Sequence, residues 1–202
     1  MPKKVDHASR IRTIAGAAIG VIGREGIDGM RLRDVAREAS ITTGAVTHYF
    51  DSKDAVLEAA LAEIVRRIVE GQHQAMDMAG DFVAAVSAFL PNTDDRRRDW
   101  NVWLAFWGRA VVNARLRDQH KAYYAEISAN LVVILRRLQA EGLADPARDP
   151  AMMADAIMAA VDGLGIRASL EPDDWPPERQ LETLRLMLAP ISATPTPKPH
   201  KR

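Results

Sequence analysis

The residues that could do covalent chemistry are few. The chain of 202 residues has five histidines and no cysteine, which removes a disulfide framework, a thiolate metal site and a cysteine nucleophile. Only His73 with Asp77 has the spacing that sets two ligands on one helical turn, and two residues do not complete a metal site. No nucleophile-and-base pair, metal motif or phosphate-binding glycine loop is present. The expectation is a protein that is not an enzyme and uses neither cofactor nor metal.

A different chemistry is concentrated between residues 31 and 53. Thr42, Thr43, Gly44 and Thr47 combine hydroxyls that reach polar base edges, methyls that pack on thymine and a glycine that lets a backbone come close to a groove. The alternative for Gly44 is a simple flexible turn residue near a helix start. His48 and Tyr49 follow one turn later, with a ring nitrogen and a phenol in reach of flanking phosphates. Lys53 can join the free amides of a helix start in holding a phosphate. Arg31 and Arg33, with Lys3 and Lys4, offer nonspecific phosphate contacts or ordinary solvated charge. The chain is neutral overall, with 27 basic and 27 acidic residues, yet residues 1–53 carry nine Lys or Arg against six acids. That small excess favours an anionic partner without deciding it.

Groups of this kind need short, rigid elements to present them. Ile11, Ile14, Ala15, Ala18, Ile19 and Ile22 recur at three- and four-residue intervals and predict a helix over 8–25, stopped by Gly26. Leu32, Val35, Ala36 and Ala39 predict a short second helix that ends before Ser40. A third is expected over 43–49, capped by Thr43, with Val46 and Phe50 on its inner face. Two short helices across so brief a turn make a helix-turn-helix. Asp51 or Ser52 caps a long fourth helix that continues to Gly71 or beyond. Further helices are expected over 82–90, 95–113, 116–141, 151–170 and 178–188, separated by glycine and proline breaks.

The fold class is therefore all-α, with about nine helices and no strand-like alternation. Residues 1–52 form an N-terminal arm and helix-turn-helix domain, 53–192 a second helical domain, and 193–202 a disordered, proline-rich and basic tail. No apolar run reaches the roughly 18 residues that span a bilayer, and the polar start has no apolar signal core after it. No membrane partner and a cytoplasmic location are expected.

The stretch LRDVAREASI (Leu32 to Ile41), followed by TTGAVTHYFDSKDAVLEAAL (Thr42 to Leu61), resembles the recognition region of TetR-family repressors. It joins small residues, HYF, SKD and a long helix in one order. WLAFW (Trp103 to Trp107) adds a resemblance to the betaine-type, choline-responsive subgroup. The chain departs from that subgroup at Ala45, Val46, Thr47 and Asp51-Ser52, which bears on the operator sequence and not on the fold.

The resemblance implies a ligand-responsive transcriptional repressor that binds palindromic double-stranded operator DNA as a homodimer and is released by a small-molecule effector. It also implies that residues 53–192 bind the effector and dimerise. One helix-turn-helix reads only a few base pairs, so two half-sites roughly 34–36 Å apart, or a multiple, would be engaged together. Met153, Ile157, Ala160, Val161, Leu164, Leu181, Leu184 and Leu188 are the expected dimer contacts, with small Ala159, Gly163 and Gly165 permitting close approach; packing within one subunit would give the same periodicity.

Trp100, Trp103, Phe106 and Trp107, with Tyr123 and Tyr124 on the next helix, are the expected ligand-binding residues. Indoles turned inward could frame a site for an organic cation, each aromatic face contributing about 0.5–2 kcal/mol. A hydrophobic compound fits the Met-rich surroundings too, and the same stripe could be plain core. Asp99, Asp118 and Glu126 are the acids that could complement a cation, with nothing in the sequence to choose among them. An effector bound between the middle helices would shift the fourth helix and mismatch the two reading heads.

Overall fold

A computed structural model of the chain describes residues 7–79 and 82–191, with side chains described over 7–72 and 82–191. Within these residues there are nine helices and no strand: α1 (His7–Gly29), α2 (Leu32–Glu38), α3 (Thr43–Tyr49), α4 (Lys53–Ala79), α5 (Phe82–Ser87), α6 (Asp94–Ala110), α7 (Ala114–Ala140), α8 (Pro150–Leu170) and α9 (Pro177–Leu188). Lys3, Lys4, the tail and the side chains of His73 and Asp77 lie outside the described residues.

The expected stop at Gly26 is present as a break inside α1, where the backbone enters the left-handed region (φ 70°). The chain then resumes for one more turn, which buries Ile27 and Met30. The turn between α2 and α3 is a Schellman closure: the Ser40 amide donates to the Arg37 carbonyl and the Ile41 amide to the Ala36 carbonyl, 3.1 and 2.9 Å away. These bonds satisfy carbonyls that the helix end would leave unpaired. Ser40 occupies the left-handed position (φ 54°) that glycine ordinarily takes there.

Two apolar cores stack along the molecule. The first joins the inner faces of α1, α2, α3 and the first half of α4 to Val102, Trp103 and Phe106 of α6 and to Leu116, Tyr123 and Ile127 of α7. It runs across residue 52 without interruption. The second joins α5, the Leu131–Leu138 end of α7, α8 and α9.

Helix α6 is clamped to the N-terminal helices on one side. A Cβ on Gly23 of α1 would lie 2.8 Å from the Arg98 side chain, so only glycine lets the two helices approach this closely. Asn101 Nδ2 donates to the Gly23 carbonyl at 2.8 Å. At the far end of α6, Arg109 donates to Asp54 at the start of α4 (3.0 Å) and to Asp28 at the end of α1 (3.3 Å).

Helix α8 corrects the expectation for the dimer contacts. Met153, Ile157, Ala160 and Leu164, together with Leu184 and Leu188 of α9, are buried within the subunit in the second core. Leu181 packs half-buried against the same core, and Val161 faces a cavity. Gly165 is also internal: the Trp100 indole occupies the space where its side chain would be. The opposite side of the helix is apolar as well. Met152, Ala156, Ala159, Gly163 and Leu170 are exposed along it at three-, four- and seven-residue steps, and Leu186 and Met187 of α9 are exposed. With apolar residues on both sides of α8, the outer side broken only by exposed Asp155 and Arg167, burial inside the subunit was decided by what packed against it.

Candidate functional site

The first candidate site is the outer surface of α3. Val46 and Phe50 anchor this helix in the first core, and Thr43, Gly44, Thr47 and His48 stand exposed. The cap is Thr42, not Thr43: residue 42 holds the extended backbone that precedes a first turn, and its hydroxyl accepts from the Ala45 amide at 3.1 Å. The Thr47 hydroxyl donates to the Gly44 carbonyl at 3.1 Å, so it must turn outward to meet a base edge.

Tyr49 is half-buried, with the His7 ring 5.0 Å and the His48 ring 5.2 Å away. This aromatic group joins the start of α1 to the end of α3, a pairing that sequence reasoning missed because the partners are far apart in the chain. The Lys53 ammonium donates to the Asp28 carbonyl at 2.9 Å, and Ser52 caps α4 by accepting from the Ala55 amide. Two of the lysine's three protons are left for another acceptor. Arg31 and Arg33 are exposed at the start of α2, Arg33 lying 3.9 Å from Asp34.

The second candidate site is a cavity where the two cores meet, enclosing about 740 Å³ of space free of protein atoms, its mouth included. Helix α4 contributes Ile64, Ile68 and Gln72; α5 and its following turn Val86 and Phe89; α6 Arg96, Asp99, Trp100, Trp103 and Trp107; α7 Tyr124, Ile127 and Leu131; α8 Ile157, Met158, Val161 and Asp162. The three expected indoles and Tyr124 are therefore brought together. The ring centroids of Trp100 and Trp107 are 5.9 Å apart, those of Trp103 and Trp107 5.7 Å, and those of Trp103 and Tyr124 5.9 Å.

Phe106 and Tyr123 do not line this cavity. Each is one residue from a cavity-facing aromatic, hence rotated by about 100° around its helix. Both are buried in the first core instead.

Polar groups enter an otherwise apolar wall at two places. Asp99 is buried between Arg67 (2.8 Å) and Arg96 (3.4 Å); burial pushes its carboxyl above the ordinary range against the pull of both guanidinium groups. Asp162 accepts from the Tyr124 hydroxyl at 2.8 Å, and burial pushes its carboxyl up to about 6, opposed by that hydrogen bond. The phenol is pushed upward in turn, by burial first and then by the carboxylate. The indole N–H of Trp100 donates to the Phe89 carbonyl, whereas the buried N–H of Trp107 has no partner among the described residues.

Asp162 and Arg96 were not among the expected site residues, and of the acids considered only Asp99 faces the cavity. Asp162 left one trace in the sequence, as an acid inside the long alanine- and methionine-rich stretch. Asp118 is exposed and paired with Lys121.

Comparison with known proteins agrees with both halves of this architecture. Residues 14–60 match the model for bacterial regulatory proteins of the tetR family, and residues 79–192 match that for the C-terminal part of BetI-type transcriptional repressors. The chain is 29% identical over 181 residues to the regulator BetI of Burkholderia mallei, covering 86% of this chain and 90% of that one. It is 27% identical over 179 residues to PksA of Bacillus subtilis, covering 85% and 84%. A transcriptional regulator of Rhodococcus sp. Rha1 superposes with a TM-score of 0.74 at 27% identity, over 92% of this chain and 99% of that one. A regulator of Saccharomonospora viridis, solved in complex with choline, superposes with a TM-score of 0.76 at 23% identity, over 93% of this chain and all of the other. With one family model spanning the reading head and the other more than half of the chain, the protein belongs to the TetR family and carries the C-terminal domain of its BetI-type transcriptional repressors.

Proposed function

We propose that the protein represses transcription as a homodimer on a palindromic operator and is released when a small molecule enters the aromatic cavity. Residues 1–52 act as the reading head, with Thr42, Thr43, Gly44 and Thr47 at base edges and Arg31, Arg33, His48, Tyr49 and Lys53 at phosphates. Residues 53–192 sense and dimerise. The effector is an organic cation or a hydrophobic compound, held by Trp100, Trp103, Trp107 and Tyr124. The relative solved with choline belongs to the same fold and agrees with that range.

One observation carries the reading: a single helix, α6, walls the cavity with three indoles and on its other side grips the reading head. Through Gly23, Asn101 and Arg109 it touches α1 and the first turn of α4. A ligand that displaces α6 therefore displaces the head. This adds α6 to the expected movement of α4. Ligand affinity must be weaker on DNA by the factor through which DNA affinity falls.

Dimerisation is assigned to the exposed apolar stripe of α8 and α9, not to the buried residues first expected. Ala156, Ala159 and Gly163 permit close helix approach there.

The test is selection of random duplex DNA on the purified protein, then binding of the selected duplex with and without ammonium and hydrophobic compounds. The expected result is a two-fold symmetric site released by one compound class. Absence of any enriched site would overturn the reading.

A further inference from the structure

The cavity wall carries charge of both signs, and the two signs stand apart. Asp99 is one carboxylate shared by Arg67 of α4 and Arg96 of α6, so this end of the cavity has one positive charge in excess. Arg67 holds the nearer share, at 2.8 Å, and does not line the cavity; Arg96 lies 3.4 Å from the other carboxylate oxygen and does line it. The next two arginines, Arg97 and Arg98, each have an acid of their own in Asp94 and Asp95. A guanidinium carries five N–H donors in a fixed fork. Arg96 gives one to Asp99, and the others meet no hydrogen-bond partner among the described residues. The buried Nε of Arg67 has none either.

The acid of the other end, Asp162, is bonded to Tyr124, whose ring stands edge-on to Trp103. Trp103 is seven residues beyond Arg96 on α6, roughly 10 Å of helix. Phe89 lies under the Arg96 guanidinium, 5.9 Å from it, and Trp100 is the next indole along α6.

We propose that the cavity takes a singly charged organic acid with an apolar body, its carboxylate paired to the free edge of Arg96 and its body laid along the indoles of α6 toward Tyr124. This rests on the reading of the cavity as the effector site, and it narrows the hydrophobic compound proposed there to one with an acidic head. The ligand extends the row Arg67, Asp99, Arg96 by one negative group, so each charge in the row has an opposite neighbour. A guanidinium receives a carboxylate through two parallel N–H bonds. The Arg96 side chain is only 28% exposed, so folding has already removed much of the water that such a pair must displace. Asp162 sets the direction. With its carboxyl at about 6 it is ionised at neutral pH, repels a second acid at the far end and rejects a dicarboxylate of the same length. A neutral compound gains only apolar contact and leaves Arg96 sharing its acid.

The experiment is a tryptophan-fluorescence titration of the full chain at a pH of about 7.5, where carboxylic acids are ionised, with octanoate, octanamide, octylammonium and the dicarboxylate suberate. Octanoate is expected to bind about tenfold or more tighter than octanamide, as a hydrogen bond between charged groups provides, and suberate no tighter than the amide. Arg96→Gln should remove the difference between octanoate and octanamide and leave octanamide binding in place. It leaves Asp99 and Arg67 as a one-to-one pair, so its Tm should stay close to that of the parent. Arg96→Lys, which keeps the charge and loses the fork, should retain part of the preference. Arg97→Gln should change neither affinity. Asp162→Asn should admit suberate.

Equal affinity for octanoate and octanamide, or a preference that survives Arg96→Gln, would overturn the proposal, and suberate binding as tightly as octanoate would overturn the direction assigned to the ligand. Tighter binding of octylammonium than of octanoate, or binding of octanamide alone, would also overturn it while leaving the cavity standing as the effector site. If none of the four compounds enters, the reading of the cavity falls and the proposal with it.

Discussion

In the reading head, a seven-residue helix is anchored by Val46 and Phe50 and presents Thr43, Gly44, Thr47 and His48 to the outside. The cavity proposed for the effector inverts this plan. Its aromatic residues are largely buried, their neighbours come from five helices, and the same indoles that would touch a ligand also fill space between the two cores. On the proposed function, the head would rest DNA reading and stability on different side chains of one helix, and the cavity would rest ligand binding and stability on the same ones. A change on the outer face of α3 should therefore be felt by DNA alone, and a change in the cavity by both fold and ligand.

The largest expected effect tests the cavity side of that contrast. Trp103→Ala should destabilise the chain by about 3–5 kcal/mol, as for large aromatic truncations in a packed core, and also weaken effector binding. Equilibrium denaturation alongside ligand titration measures both. Gly165→Ala comes next: its new methyl would collide with the Trp100 indole, and the displaced ring should cost about 1–3 kcal/mol. Unchanged stability in either variant would break the comparison.

On the head, Thr47→Ala should weaken operator binding by about 1–3 kcal/mol and relax preference at one or two base pairs, while leaving the unfolding midpoint in place. Lys53→Ala should lower affinity for all sequences alike and reduce the salt slope by about 1. Gel-shift titrations across salt concentrations separate the two. If thermal melting shows Thr47→Ala to be destabilised, the outer face of α3 is not free of structural duty. The smallest effect sharpens the boundary between the short helices: Ser40→Gly should stabilise the head by about 1 kcal/mol, because a serine side chain is strained in the left-handed region.

The head was legible because its determinants are local. Apolar residues at three- and four-residue steps placed α1 to α4, and the exposed threonines, Gly44 and His48 lie where the spacing put them. The misread details were of one residue, such as the cap at Thr42, or depended on distant partners, such as Lys53 on Asp28 and Tyr49 on His7. The cavity was half legible. Trp100, Trp103 and Trp107 share a helical face and do meet, but a shift of one residue removed Phe106 and Tyr123 from it.

By itself, the sequence determined the helices, their order, the family and which residues of the reading head face outward, since each is set by interactions within a few turns of chain. Tertiary structure decided which apolar face of α8 is core, because a helix with apolar residues on both sides and few charges carries little record of its own orientation. It also decided that Gly165 seats an indole, that Arg67 and Arg96 share the one carboxylate of Asp99, and that Asp162 is bonded to a phenol. Charge balance inside a cavity is a sum over several helices, and no stretch of sequence contains that sum.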